Sequence, residues 1–162
     1  MIAKRILGKL ISLLIVIFSV SCTQSSKQSE KKEIDINRVK SLADSCYERN
    51  DFEKSLSYLN QVLSRDTVNG EYYYKRGYSQ AQLANFPESS KDYFKAAQLG
   101  FRKADAYYNL GLNQIVLLND SLAVLYFNKA LELSPNAPEI LSALEACKKR
   151  LVGTDKKKGA EI

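Results

Sequence analysis

The chain is 162 residues long, with 24 Lys and Arg, 18 Asp and Glu, no histidine and a formal net charge of +6. The missing imidazole removes the commonest general base, the usual partner of a nucleophilic Ser or Cys, and the commonest transition-metal ligand, which excludes most enzyme chemistries. The carboxylates are scattered, without the Asp-x-Asp run followed by Gly and Glu that marks a calcium loop, so neither a metal nor a cofactor is expected.

Residues 1–21 open the chain with Lys4, Arg5 and Lys9, followed by an apolar run from Leu10 to Val20 broken only by Ser12 and Ser19. A transmembrane helix needs about 20 apolar residues, so this run is too short to span, and it matches a secretory signal peptide instead. It stops at Cys22. Val20, Ser21 and Cys22 resemble a bacterial lipobox, which implies a diacylated sulfur on Cys22 and anchorage in the bacterial cell envelope, at the outer membrane. Several buried acyl chains hold a protein firmly where one chain binds only marginally. Ser19 stands where the motif usually carries Leu, and Ser19 with Ser21 also suits a small-residue cleavage site, so a soluble exported protein is the alternative. Removing the three basic residues of the signal leaves 21 basic against 18 acidic residues, or +3. That excess makes no strong case for nucleic acid, which needs clustered Lys and Arg along one face.

Residues 22–35 form the lipidated cysteine and a polar tether, "TQSSKQSEKKEID". A flexible segment of this length spans about 20 Å, which keeps the following domain near the membrane surface.

From Asn50, Ala84 and Leu118 the chain reads "NDFEKSLSYLNQVLS", "ANFPESSKDYFKAAQ" and "LNDSLAVLYFNKALE", which superpose without gaps at a step of 34. Extending upstream gives three units, 36–69, 70–103 and 104–137. Small residues at Gly77 and Gly111 are expected to face Ser89 and Ala123, letting the two helices of a unit approach closely. Leu122, Leu125, Tyr126, Ala130 and Leu133 follow helical spacing. Asp51 is placed to cap a helix, Pro87 suits a first turn, and Gly100 follows Leu99 where a helix should end. Residues 138–152 place Leu141, Leu144, Cys147 and Leu151 on one stripe and read as a capping helix. Residues 153–162 read as a disordered polar tail, with Lys156 to Lys158 solvated.

The period resembles the tetratricopeptide repeat (TPR), a helix-turn-helix unit of that length. The aromatic of the first helix is Tyr73 and Tyr107, and the Leu-Gly pair is intact as Leu110 and Gly111 but reads Arg76 and Gly77 in the second unit. The small residue of the second helix is Ser55, Ser89 and Ala123, with Tyr93 and Phe127 as its aromatics. The resemblance implies an all-α fold, a right-handed solenoid of three TPR-like helical hairpins with a C-terminal capping helix.

It also implies a concave groove lined by the first helices, on which fall Asn37, Lys40, Asp44, Tyr47 and Glu48, then Glu71, Tyr74, Tyr78, Ala81 and Gln82, then Asp105, Tyr108, Leu112, Ile115 and Val116. Lys40, Asp44, Tyr74, Tyr78, Tyr108, Leu112 and Val116 are the candidate partner-binding residues, and Tyr73 and Tyr107 the packing aromatics. The apolar stretch Leu112, Ile115 and Val116 is either an open floor or covered by the capping helix. One branch of the family clamps C-terminal carboxylates; its places are held here by Lys40, Asp44, Lys75, Asp105 and Asn109, of which only Lys40 fits, so that ligand is not expected. Cys46 and Cys147 are expected to be buried small hydrophobes, kept from bridging by the intervening repeats. The functional expectation is a non-enzymatic adaptor that binds a protein or peptide, with a structural subunit of an envelope assembly or secretion machine as the alternative.

Overall fold

The structure, a computed structural model, describes residues 35–159. The signal-like segment, Cys22 and most of the tether lie outside the described residues. Seven helices and no strand occur among the described residues: α1 Ile36–Glu48, α2 Phe52–Leu63, α3 Gly70–Gln82, α4 Phe86–Gln98, α5 Lys103–Val116, α6 Asp120–Leu133 and α7 Pro138–Gly159. Each helix packs on the next in sequence. Short connections make such neighbours antiparallel, so α1/α2, α3/α4 and α5/α6 are three successive hairpins.

Helix ends recur with the period. The Asp35 carboxylate accepts from Asn37 N at 3.0 Å, and the Asn69 side chain, 34 residues later, accepts from Glu71 N at 3.0 Å. Asp51, Asn85 and Asn119 share a second register at the start of α2, α4 and α6. Asp51 and Asn119 make the side-chain cap bond, while at Asn85 the helix relies on Pro87, whose fixed φ suits a first turn. The turn before each of these helices places one residue in left-handed backbone: Asn50 (φ 58°), Ala84 (φ 61°) and Leu118 (φ 58°).

The core is built one joint at a time. Val39, Ala43, Leu59, Val62, Leu63 and Tyr72 fill the first joint, Tyr74, Tyr93, Ala96, Ala97, Ala106 and Leu110 the second, and Ala123, Phe127, Ala130, Ile140, Leu144 and Cys147 the third. Tyr73 packs against the first two clusters and Tyr107 against the last two, so each ring stands between units as the packing role requires. A Cβ at Gly77 would meet Ser89 O at 3.2 Å and Asp92 Cβ at 3.2 Å, which is the expected close approach. At Gly111 the neighbour is different from the expected Ala123: the Phe127 ring lies directly over the glycine and leaves no room for a Cβ.

The capping helix begins at Pro138, one period after residue 104, and therefore occupies the register of a first helix in a fourth unit. Glu145 falls where Gly77 and Gly111 stand in α3 and α5, and it is exposed. A charged side chain at the point of closest approach leaves no seat for a partner helix, so α7 ends the stack. Beyond residue 152, where an irregular tail was expected, α7 continues to Gly159. The segment contains no proline, and its lysines are good helix formers that let the preceding turns propagate past Gly153. No described helix is long and apolar enough to cross a membrane.

Candidate partner-binding face

The first helices α1, α3 and α5 carry the residues assigned to the groove, and the structure sorts them into three groups. The first group is ionic. Lys40 pairs with Asp66 at 3.2 Å and lies 5.4 Å from the centre of the Tyr72 ring. Lys75 is shared by Asp44 at 2.7 Å, across the α1–α3 joint, and by Glu71 at 2.6 Å, one turn back on its own helix. Lys75 and Asp44 both stand at places of the carboxylate clamp, and here they neutralise each other.

The second group is aromatic. Tyr78 makes edge contacts with Tyr47 at 5.5 Å and Phe52 at 5.8 Å, and remains half-buried. Tyr108 is also half-buried, tilted against Phe127 at 5.8 Å. Tyr74 corrects the expectation made for it, because it is only 7% exposed. Its ring makes edge contacts with Tyr93 at 5.2 Å and Phe101 at 5.7 Å, and its hydroxyl accepts from Asn109 Nδ2 at 3.0 Å. Burial pushes the Tyr74 and Tyr93 phenols upward from their ordinary values, which suits rings that stay neutral at any physiological pH. Tyr74 is therefore part of the second core cluster and not an accessible anchor. Sequence register alone put it on the concave side, and only packing shows that Phe101, from the turn before α5, closes over it.

The third group is apolar. Leu112 and Ile115 pack against the cluster that includes Ile140, Leu144 and Cys147 of α7, whereas Val116 is 53% exposed. Leu112 and Ile115 are thus half-buried against the third core cluster, while Val116 faces outward. Between α3 and α5, Tyr78, Ala81, Gln82, Asn109, Leu112, Asn113 and Val116 line a cavity of ≈ 190 Å³ whose floor is Phe86 and Tyr93 of α4. A larger concavity of ≈ 490 Å³ lies among the inter-unit loops at Asp66, Val68, Asn69 and Phe101. It is walled mainly by connecting segments, whereas the smaller one is held by three helices and is the better-formed site.

Two polar features went unread in the sequence. Arg76, which replaces the family's leucine, clasps Asp92 of α4 through Nε at 2.7 Å and Nη2 at 2.8 Å, and donates from Nη1 to Asn60 of α2 at 2.9 Å. Burial pushes the Asp92 carboxyl up against the opposing pull of Arg76. Asn113 is buried and donates to Ser89 Oγ at 2.9 Å and Ser90 Oγ at 3.2 Å. The available signal for the first was a charge of each sign at two positions where the period puts packing residues. Cys46 and Cys147 are both free and buried.

No family model and no curated relative matches the chain. Solved structures do. The chain is similar to the Arabidopsis OM64 TPR domain (21% identity, TM-score 0.64, covering 71% of this chain and 95% of that one). It is similar to the first TPR of Spaghetti (RPAP3) bound to an HSP90 peptide (19% identity, TM-score 0.66, 72% and 93% covered). It is also similar to the Yersinia enterocolitica type III secretion chaperone SycD in complex with a peptide of the translocator YopD (17% identity, TM-score 0.65, 75% and 98% covered). At these identities the likeness concerns architecture: the described residues adopt a TPR fold of three helical hairpins closed by a capping helix.

Proposed function

We propose that the domain is a non-enzymatic adaptor that holds a protein or peptide segment along its concave face. The observation that carries this reading is the cavity between α3 and α5, where the Tyr78 ring, Leu112 and Val116 meet Gln82 and Asn109. An amphipathic lining of this kind offers area for an apolar side chain and polar groups for a backbone. Two solved structures of similar shape contain a bound peptide, which supports the same reading. A photoreactive amino acid at Val116 should crosslink one discrete partner in the native cell, and the same group at Ser57, exposed on α2, should not. Equal labelling from both positions would overturn the assignment to this face.

The membrane attachment belongs to the same proposal. The short signal, Cys22 and the polar tether support a bacterial envelope lipoprotein, held at the outer membrane with its repeat domain free to reach a partner. Mass spectrometry of the mature protein should find an acylated Cys22 at its N-terminus; an unmodified thiol on a soluble protein would remove the anchor.

A second reading, a subunit of an envelope assembly or secretion machine, is favoured by the exposed run Val116, Leu117 and Leu118 at the end of α5. Contiguous exposed apolar surface suits burial against another subunit. A monodisperse monomer or dimer of the full chain in detergent supports the adaptor, and concentration-dependent aggregation reversed by Leu118→Asp supports the subunit.

A further inference from the structure

The polarity of the concave face changes along the array. At one register the three units carry Asp44, Tyr78 and Leu112, and at the next groove register Glu48, Gln82 and Val116, each set spaced by 34 residues. Both rows run from carboxylate through a neutral polar or aromatic group to aliphatic. The ion pairs sharpen this gradient. Lys75 is shared by Asp44 and Glu71, Lys40 is held by Asp66, and Arg102 is held by Asp105 at 2.7 Å, while Glu48, one turn on from Asp44 along α1, is exposed. The cations of this surface are thus matched by carboxylates, and carboxylate is left in excess at the α1 end. At the other end the ≈ 190 Å³ cavity is lined by uncharged groups. Small-molecule sites run from about 300 Å³ upward, so this cavity is a socket for one side chain and not a cofactor site.

We infer that the partner is a segment carrying a basic residue and a large apolar residue about six positions apart, with the apolar side chain in the α3–α5 cavity and the basic group at Glu48. The spacing follows from geometry. Side chains of α1 meet those of α3 at Asp44–Lys75 and Tyr47–Tyr78, and α3 meets α5 at Tyr74–Asn109; at about 10 Å for each such step α1 and α5 are separated by roughly 20 Å, which an extended chain at about 3.3 Å per residue covers in about six residues. An acidic C-terminal tail is the wrong ligand for this surface, since it would meet like charge at α1 and find Lys75 already committed.

The inference deepens the proposed peptide-binding role and rests on it. Fluorescence anisotropy with the full chain in detergent micelles tests it against three labelled nonapeptides on Gly/Ser spacers. In the first, Arg and Phe stand six residues apart; in the second, Glu replaces Arg; in the third, Arg adjoins Phe. The first peptide should bind at least tenfold more tightly than the other two. Val116→Asp should weaken it about tenfold, and Glu48→Lys about fivefold, with the Glu48→Lys effect fading at high salt. Both positions are exposed, so unchanged helical signal and melting temperature exclude misfolding as the cause. Equal binding of the Arg and Glu peptides, or indifference to their spacing, would overturn the inference. So would failure of all three peptides; in that case, crosslinking from Val116 in the cell independently decides whether the groove itself binds a partner.

Discussion

Leu118 occupies the turn position that Asn50 holds in the first unit, with the same left-handed φ of 58°, and is 91% exposed. A bulky side chain in that conformation crowds the following carbonyl, whereas Asn tolerates it by local hydrogen bonding. Leu118→Asn should therefore stabilise the domain by about 0.5–1 kcal/mol, read as a higher melting temperature. An unchanged or lower midpoint would show that Leu118 makes stabilising contacts in solution. Tyr74 carries the opposite lesson, since a residue assigned to a surface is a core residue. Tyr74→Phe should cost about 1 kcal/mol by orphaning the Asn109 amide, and Tyr74→Ala about 3 kcal/mol by emptying the space between Tyr93 and Phe101. Thermal denaturation of the two variants separates these contributions, and equally small effects would show that the ring is not buried.

Between elements, the same joint is built three times with different chemistry. Ser79 donates to Ser55 at 3.5 Å where α3 meets α2, and Asn113 donates to Ser89 where α5 meets α4. At the equivalent place of the third joint, Cys147 of α7 joins Ala123 of α6 in an apolar cluster. Cys147 thus takes the third place in a positional series, packed among apolar side chains with its Sγ accepting from Arg150 Nη2 at 3.2 Å. The Arg76–Asp92 pair is the other substitution of polar for apolar. A buried ion pair is often worth no more than well-packed hydrophobes, but a single survivor is costly. Arg76→Leu alone should destabilise by about 3 kcal/mol through the uncompensated Asp92 carboxylate, and the double variant Arg76→Leu, Asp92→Leu should recover most of that loss. Urea denaturation of the single and double variants measures the coupling, and additive effects would show that the pair is not a unit.

At the scale of the whole molecule, the array depends on how it is closed. Arg150 of α7 holds Asp120 of α6 through Nε at 2.8 Å and a second bond from Nη2, and this pair ties the cap to the last repeat. Arg150 keeps the Asp120 carboxyl below its ordinary value. A depressed carboxyl contributes stability that is present above its unfolded pKa of about 3.9 and is lost as pH falls through the folded value. Stability should therefore decline on acidification below about pH 4, and Arg150→Ala should flatten that part of the profile while leaving the curve above pH 5 parallel to the parent. Melting temperature measured against pH checks this, and an unchanged acid limb would show that the cap is held by its apolar stripe alone.

Much of the molecule is legible in the sequence because the repeat is written at a fixed step. Lys40, Asp44, Tyr78 and Tyr108 fall on one line of helices by register alone, Asp51 and Pro87 mark helix starts, and Gly77 marks a close approach. Local rules suffice for these, since a helix start or a contact between adjacent helices depends on residues a few positions apart. Tertiary structure decided what depends on neighbours distant in sequence. Phe101 closing over Tyr74 made a core residue of a groove residue, Asp44 and Glu71 took the charge of Lys75, and Leu112 and Ile115 packed against the third core cluster while Val116 stayed open. Periodicity assigns each residue to a face, but whether that face meets solvent, a ring or an opposite charge is set by the side chains that other helices bring against it.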